Sequence, residues 1–319
     1  MTRLRRGGTM DIICGCDVSS KWADVSLDGR AAKRFEQTME GFEALAHYAK
    51  GSSLVVMEAT GAYHVALADF LVGRGFAVSV VNPARASAYS QAVGQRNKTD
   101  KCDARSLALF AKGNAVPAYV PQSRQRREFQ ALVRERSRLV ADAARLKTQL
   151  KAPVLDAFVK ELLVERLALY KAQAALVQER AEEVAAACPE LAEAVRLLRT
   201  LPGFGSVTAM TVLAELDPER FKTAKQAAAF AGVTPREFSS GSSVRKATRM
   251  GKRGNAALRK ALFMPALVAV RRSCFKDFYQ RLLERGKSKM AAIGAVMHRL
   301  LRTAFAVLKT NTPYEPQST

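Results

Sequence analysis

The sequence is short of acidic residues and of the side chains that usually hold zinc. Its 319 residues include 29 Asp and Glu against 51 Lys and Arg, which gives a net charge of +22. The five cysteines are scattered without Cys-x-x-Cys spacing and the three histidines lie far apart, which argues against a disulfide scaffold and a zinc site. No stretch approaches the ~18 uninterrupted apolar residues that span a bilayer, and residues 1–8 lack the apolar segment of a secretory signal. We therefore expect a cytoplasmic protein that does not enter a membrane.

The excess of cations is the strongest feature of the composition. A net charge of +22 attracts polyanions from a distance, and nucleic acid is the first candidate partner, which in a bacterial-type cell implies association with the nucleoid. A membrane-surface role needs a basic amphipathic segment with an aromatic face, which a chain with one Trp hardly supports. The alternative is a basic but otherwise ordinary globular protein, because 48% hydrophobic and 25% charged residues are typical of globular chains.

The first third of the chain alternates between strand and helix patterns. Short apolar runs at 11–18, 23–27, 53–58 and 76–81 predict strands, and Asp28-Gly29 predicts a hairpin turn. Helical patterns lie between the later runs. Strands joined first by hairpins and then through helices indicate a mixed sheet covered by helices, with functional groups at the strand ends.

The rest of the chain is predicted to be helical. From Ser123 apolar residues recur at three-four spacing, interrupted by Arg136, and Pro153 separates this helix from a second one. The seam of this pair is either a dimer contact or the packing surface of an arm within the chain. Further helices are expected at 255–272 and 288–308, whereas the Ser-, Gly- and Arg-rich residues 232–254 predict a loop. At this length we expect five segments in chain order: a basic flexible N-terminus (1–10), an α/β domain (11–120), a helical coiled-coil arm (121–189), a mainly helical C-terminal domain (190–310) and a flexible tail (311–319).

Four carboxylates of the α/β domain occupy positions where they could meet. Asp17 follows one apolar strand, Glu58 ends another, and Asp100 and Asp103 are three residues apart at the start of a helix, on one face. If that helix packs across the strand ends, the four converge and need cations. Because Mg²⁺ prefers hard oxygen ligands and binds phosphates, one or two Mg²⁺ ions are the predicted occupants. The alternatives are a turn residue at Asp17, a solvated strand end at Glu58, and helix-capping or first-turn acids at Asp100 and Asp103.

A second candidate site lies in the predicted loop. Ser239, Ser240, Ser242 and Ser243 flank Gly241 within a strongly basic stretch. The basic residues taken to contact nucleic acid are Arg236, Arg245, Lys246, Arg249, Lys252 and Arg253. Backbone amides and Arg side chains suit phosphate binding, and a hydroxyl there could attack phosphorus. The composition alone favours the simpler interpretation, a basic loop that binds nucleic acid without chemistry.

Four stretches of the sequence carry a family resemblance. They are Gly-Cys-Asp-Val-Ser around Asp17, Met-Glu-Ala-Thr-Gly-Ala-Tyr around Glu58, Val81-Asn-Pro together with the segment 98–105, and Phe230-Ala-Gly-Val-Thr-Pro-Arg with Ser240-Gly-Ser-Ser-Val-Arg. Together they resemble the insertion-sequence transposases of the IS one-ten family over about residues 11 to 310. The resemblance implies an N-terminal RuvC-like domain of the RNase H type and a C-terminal transposase domain that carries a nucleophilic serine.

The resemblance also implies roles for individual residues. Asp17, Glu58, Asp100 and Asp103 become the Mg²⁺-binding tetrad, and Ser240 becomes the nucleophile. Ser239 leaves a one-residue ambiguity, with Ser242 and Ser243 as lesser alternatives. The implied partners are donor and target DNA, a structured non-coding bridge RNA that guides target choice, and further copies of the chain in a dimer or tetramer, between which the active site assembles.

We therefore expect a DNA recombinase that moves an insertion sequence. The first alternative is a metal-dependent nuclease or Holliday-junction resolvase, in which water attacks and the serine segment merely binds DNA. The second is a nucleic-acid-binding protein without catalysis. A sugar-kinase-like fold is disfavoured because we find no glycine-rich phosphate loop of the expected kind and the charge excess is unexplained.

Overall fold

The structure is a computed structural model with two compact units, residues 1–121 and 122–319. It describes residues 12–59, 61–92, 100–240, 244–251, 254–272 and 275–316. For residues 100–102, 236–240, 244–249 and 272 it describes the backbone alone.

The first unit is built on a five-stranded mixed sheet. Its strands are β1 (Ile13–Val18), β2 (Trp22–Leu27), β3 (Lys33–Glu36), β4 (Leu54–Glu58) and β5 (Val78–Val81). Their order in the sheet is β3-β2-β1-β4-β5, with β1 to β3 antiparallel and with β4 and β5 parallel to β1. The predicted turn is present, because Asp28 and Gly29 both have positive φ between β2 and β3. The predicted α/β class of this region is confirmed.

Helices cover both faces of this sheet. They are α1 (Met39–Tyr48), α2 (His64–Gly73), α3 (Pro83–Ala92) and α4 (Asp100–Gly113). Because successive strand residues face opposite sides, Cys14 and Cys16 of β1 belong to the core on one face. Ile13 of β1 and Val56 of β4 belong to the core on the other face, with Leu107 and other residues of α4.

Gly15 sets the position of α4 against β1. A Cβ atom at Gly15 would lie 2.5 Å from the Ala108 backbone nitrogen and closer still to the Ala104 carbonyl oxygen, so only glycine permits this approach. At the other end of α4, Lys112 forms an ion pair of 2.5 Å with Asp28, whose carboxylate accepts a hydrogen bond from the backbone of Ile13, the first residue of β1. The helix therefore runs antiparallel to β1, with its N-terminus towards the carboxyl end of that strand.

The second unit begins with a helical hairpin. Its helices are α5 (Arg124–Gln149) and α6 (Ala157–Ala186), capped by the side chains of Ser123 and Asp156. The two helices pack against each other, and Phe129, Leu139, Ala143 and Leu146 of the predicted seam are buried within the chain. Arg136 interrupts this seam, and its buried Nε has no hydrogen-bond partner among the described residues. Burial lowers the pKa of Arg136, with the charge of Glu182 acting in the opposite direction.

The remaining elements of the second unit form a mainly helical core. They are α7 (Pro189–Leu198), α8 (Ser206–Glu215), a 3-10 turn (Pro218–Arg220), α9 (Ala224–Ala231), β6 (Pro235–Ser240), β7 (Val244–Met250), α10 (Ala256–Arg272), α11 (Phe275–Glu284) and α12 (Lys289–Thr310). By length and composition α12 could cross a membrane, and within the described residues no other helix meets that test. Its apolar side chains, from Ile293 to Val307, lie in the core of this unit, as in the central helix of a globular domain.

Two expectations for this unit need correction. The loop predicted at 232–254 is wrong, because β6 and β7 form an antiparallel hairpin with a register shift between Arg236 and Phe238. Ser, Gly and Arg have little strand propensity, so pairing between the two strands overrides the local composition.

Helix α11 was not predicted. In the segment predicted as a flexible tail, the backbone N–H of Tyr314 donates a 2.8 Å hydrogen bond to Thr200, which docks this part of it.

Candidate active site

Asp17 and Glu58 lie at the carboxyl ends of two neighbouring parallel strands, Asp17 as the last residue but one of β1 and Glu58 as the last residue of β4. The register pairs Cys16 with Met57, and its continuation by one residue sets Asp17 beside Glu58. Strand alternation puts Asp17 on the same face as Gly15, which is the face covered by α4. Both carboxylates are partly exposed. The carboxyl end of the sheet therefore carries two acidic side chains under the N-terminus of one helix.

The first turn of α4 carries the other two predicted positions, Asp100 and Asp103, and its backbone leads towards this edge. Asp103 directly precedes Ala104, the residue whose carbonyl group lies against Gly15, and it is partly exposed. Asp100 is the first residue of α4, one turn earlier, and its side chain lies outside the described part of the chain. The backbone thus leads all four predicted positions to the same edge of the sheet.

The donor chemistry at this edge fits a divalent cation. Within the described side chains, no three of His, Cys, Asp and Glu already stand together as a metal-binding group. Along the backbone, acidic residues of three separate segments nevertheless lie at this edge, and carboxylate oxygens are the ligands that Mg²⁺ and similar ions prefer. Asp17, Glu58 and Asp103, together with Asp100, are the residues that would hold the ion.

A fifth carboxylate, not singled out from the sequence, belongs to the same face. Asp24 of β2 lies directly opposite Asp17 in the antiparallel register and is 2% exposed. Arg34 of β3 donates two hydrogen bonds to it, of 3.1 and 2.7 Å. The pair neutralises a buried charge next to Asp17. The available signal was a charged residue inside the alternating apolar strand 23–27.

The two cysteines behind this edge do not add to the donor set. Cys14 and Cys16 face the opposite core, and burial raises the pKa of Cys14 to about 12. Burial also raises the pKa of Cys16 well above its usual value, with smaller contributions from Cys14, Asp17 and Asp24. Thiols with such pKa values stay protonated and are poor metal ligands.

One side chain ties together the two segments that follow the acidic strands. The Gln37 amide donates to the carbonyl oxygen of Ser19, after β1, at 3.0 Å and to that of Tyr63, after β4, at 3.4 Å. Its backbone N–H donates to the carbonyl oxygen of Lys21. The turns next to Asp17 and Glu58 are therefore held relative to each other.

The second candidate site lies on the hairpin of β6 and β7. Ser240 is the last residue of β6 and pairs with Val244, while Ser239 pairs with Arg245. The hairpin backbone also carries the predicted contacts Arg236, Arg245, Lys246 and Arg249. Their side chains, the residues 241–243, and Lys252 and Arg253 lie outside the described part of the structure.

Hydrogen bonds to backbone carbonyl groups connect the two ends of this hairpin at its base. The Asn255 N–H donates to the Phe230 carbonyl oxygen at 2.8 Å, and Arg259 donates to the Ala231 carbonyl oxygen at 3.0 Å. Gly254 has a φ of +127°, and a Cβ there would lie 2.6 Å from the Phe230 oxygen and 2.7 Å from the Gly232 nitrogen. The end of α9, which leads into the hairpin, and the segment leaving the hairpin are thus fixed to each other.

A buried carboxylate anchors that base to the helical core. Glu215 of α8 accepts 2.7 Å hydrogen bonds from the Asn255 amide and from Arg134, and its side chain is 8% exposed. Burial alone would raise the pKa of Glu215, but these hydrogen bonds outweigh burial and hold the pKa below its usual value. The Asn255 side chain also accepts the Leu258 N–H, which caps α10.

An α/β unit with carboxylates at one sheet edge, followed by a basic hairpin on a helical unit, is an arrangement suited to cutting and joining DNA. Residues 14–159 match a model of DEDD transposases of IS110 type, and residues 195–280 match the transposase family IS116/IS110/IS902. The chain is 32% identical over 290 residues to the pilin gene-inverting proteins of Moraxella lacunata and Moraxella bovis, covering 88% of this chain and 89% of each relative. It is 27% identical over 247 residues to the transposase of IS1111A from Coxiella burnetii, covering 68% of this chain and 66% of that protein.

The chain belongs to the IS110 family of transposases, as the four motifs predicted. It is a DNA recombinase enzyme of the insertion-sequence type, and its substrates are DNA. Its DEDD class depends on divalent metal.

Proposed function

We propose that the chain excises and inserts an insertion sequence by Mg²⁺-assisted serine transesterification, with a structured bridge RNA guiding the choice of DNA sites. The observation that carries the metal part is the meeting of Asp17, Glu58 and the N-terminus of α4 at one sheet edge. The chain order Asp17, Glu58, Asp100, Asp103 also agrees with the letters of the DEDD model, which spans all four residues. The strand order of the mixed sheet supports an RNase H or RuvC-like assignment for this unit.

The carboxylate edge prepares the phosphate for attack. Asp17, Glu58, Asp100 and Asp103 would hold Mg²⁺, which when bound would supply Lewis-acid polarisation of the scissile phosphodiester. Asp24 is paired with Arg34 and stays outside the proposed metal-binding set. The Gln37 contacts keep the two strand ends in place during the reaction.

Ser240 provides the nucleophile. Its oxygen forms a bond to phosphorus while the bond from phosphorus to one deoxyribose oxygen breaks, and the released strand end takes up the proton. A hydroxyl group of the other duplex then attacks the serine phosphodiester, forms the new DNA strand and returns the serine. The number of phosphodiester bonds is conserved, so no nucleotide cofactor is needed.

The basic residues of the hairpin bind the nucleic acids. Arg236, Arg245, Lys246, Arg249, Lys252 and Arg253 provide cations for phosphates, in agreement with the net charge of +22. Contacts of this kind carry no sequence information, which leaves site choice to base pairing with the RNA. The complex acts as a dimer or tetramer in the cytoplasm, at the nucleoid.

The serine assignment is tested by excision of the element from a plasmid in cells, with trapping of covalent protein–DNA adducts. Ser240→Ala should lower excision by at least about a thousandfold and remove the adduct, because nucleophile loss has effects of that order. Ser239→Ala is the matched control and should keep both. Retained excision in Ser240→Ala contradicts the assignment, and loss in Ser239→Ala alone moves the nucleophile to that residue.

Two further measurements separate the alternatives. Asp17→Asn should abolish cleavage in a recombinase and in a resolvase alike, whereas a resolvase would still cleave with Ser240→Ala.

Sequencing of RNA that copurifies with the protein should reveal one discrete structured species, bound equally by the Ser240→Ala variant. A heterogeneous mixture would refute RNA guidance.

A further inference from the structure

The single tryptophan of the chain lies at the rim of the carboxylate edge. Trp22 is the first residue of β2, and Asp24, two residues later on the same face, lies opposite Asp17. Because β2 runs antiparallel to β1, Trp22 extends beyond the carboxyl end of β1, on the face that bears the carboxylates. It is 37% exposed, whereas most large aromatic side chains of this unit are packed in its cores.

The position of Trp22 is fixed before any ligand binds. Its backbone N–H donates to the Ser19 hydroxyl at 3.2 Å, and its carbonyl oxygen accepts from the Ser19 hydroxyl at 3.0 Å and from the Ser19 N–H at 2.8 Å. The Arg34 guanidinium carbon lies 5.8 Å from the centre of the indole ring, and Arg34 is itself held by Asp24. Ser19 thus fixes the backbone of Trp22, and Arg34, which neutralises Asp24 beside Asp17, lies against its ring.

We propose that Trp22 is a stacking site for an unpaired nucleobase of the DNA strand that enters the carboxylate edge. Aromatic side chains bind single-stranded nucleic acid by stacking on base faces, and this contact tolerates any sequence. A flat, partly exposed ring held in one orientation offers a face for such a base. The inference rests on the proposed function in one respect, that this edge is where DNA is cleaved.

The experiment uses the fact that Trp22 is the only tryptophan, so tryptophan fluorescence of the full-length protein reports on this site alone. The probes are a 15-nucleotide oligothymidylate and a duplex of equal length, chosen as about the size of a single-strand site. Saturable quenching by the single strand, stronger than by the duplex, is the expected result. Unchanged fluorescence at saturation, or equal quenching by the duplex, overturns the proposal.

Substitutions distinguish stacking from simple packing. Trp22→Leu should weaken binding of the labelled oligothymidylate about tenfold, and Trp22→Phe should restore most of it, because base stacking needs an aromatic ring. Phe158→Leu, at a 68% exposed aromatic residue of α6, is the control and should bind as the parent does. Parental binding by Trp22→Leu at an unchanged melting temperature identifies Trp22 as a packing residue and overturns the proposal.

The experiments distinguish failure of the proposed function from failure of the stacking site. Should Asp17→Asn and Ser240→Ala both retain excision, the proposed mechanism fails while the quenching of Trp22 still decides whether a base stacks there. If instead those variants are inactive and no quenching occurs, the mechanism stands and the stacking site does not.

Discussion

The carboxylate edge of the first unit and the serine hairpin of the second are built in opposite ways. The edge draws Asp17, Glu58 and Asp103 from three distant segments, each fixed by the register of buried strands or by close helix packing. The hairpin draws its predicted nucleophile and cations from one continuous segment, anchored at its base through Asn255 and Glu215.

The difference follows from the charges at each site. A group of carboxylates is costly because the like charges repel one another, so it needs a rigid frame and a cation, whereas a basic hairpin in a chain of +22 attracts a polyanion together with the field of the whole molecule. The first site is therefore expected to respond to changes in core packing, and the second to changes at its anchor. Substitutions in the two regions test this contrast.

The largest effect is expected from Gly15→Ala in the first unit. The added Cβ has no room against the backbone of α4, so the helix must move and carry Asp103 away from Asp17. We expect a loss of about 1–3 kcal/mol in the free energy of unfolding, typical of overpacked cores, together with loss of DNA cleavage. Chemical denaturation and the excision assay measure the two effects.

Gly73→Ala is the matched control for this substitution. Gly73 is the last residue of α2, and a Cβ at this position meets nothing within 4 Å. Its stability and activity should stay close to those of the parent. Full activity of Gly15→Ala would contradict the view that close packing of α4 on β1 builds the carboxylate site.

A smaller effect is expected from Asn255→Ser at the base of the hairpin. Serine still caps α10, but its short side chain cannot reach Glu215, so the tie between the hairpin and the helical core is lost. Loss of this hydrogen bond to a charged group should cost about 1–2 kcal/mol of stability. We expect adduct formation to fall about tenfold, as for misplaced catalytic groups, with oligonucleotide binding unchanged.

Ser123→Ala provides the comparison for a stability loss without a change at the hairpin. It removes the N-cap of α5, worth about 1 kcal/mol, and should leave the rate of adduct formation unaltered. Equal rates in Asn255→Ser and Ser123→Ala would mean that the base of the hairpin does not position the serine.

The clues in the sequence that predict the carboxylate edge are local. Asp17 and Glu58 end apolar runs, and Asp100 and Asp103 share one helix face, so each position is visible within a short segment. The mixed sheet followed from the alternation of strand and helix patterns. Whether the four side chains act together stays a prediction that the substitutions above address.

What the sequence did not reveal depends on contacts between distant positions. Arg34 reaches Asp24 through strand register, and Glu215 meets Arg134 and Asn255 across 81 and 40 residues. The strands of the serine hairpin were missed because a basic, Ser-rich composition is typical of loops, whereas pairing with a partner strand stabilises them here.

The smallest effect concerns the pH dependence of stability in the two units. Burial lowers the pKa of His64 in the first unit, against the charge of Asp69, and burial followed by the charge of Arg302 lowers that of His298 in the second. A histidine with a lowered pKa contributes stability above its unfolded pKa of about 6.5, and this contribution is lost as pH falls through the folded value.

His64→Gln should therefore flatten the decline of the melting temperature between neutral and mildly acidic pH, and His298→Gln should do so less. The reason is that His64 is 9% exposed and its Nδ1 has no hydrogen-bond partner within the described residues, so its protonation meets the larger desolvation penalty. Melting curves at several pH values for the parent and both variants make the measurement. An equal or larger change in His298→Gln would show that the core of the second unit, rather than the frame of the carboxylate edge, limits stability in acid.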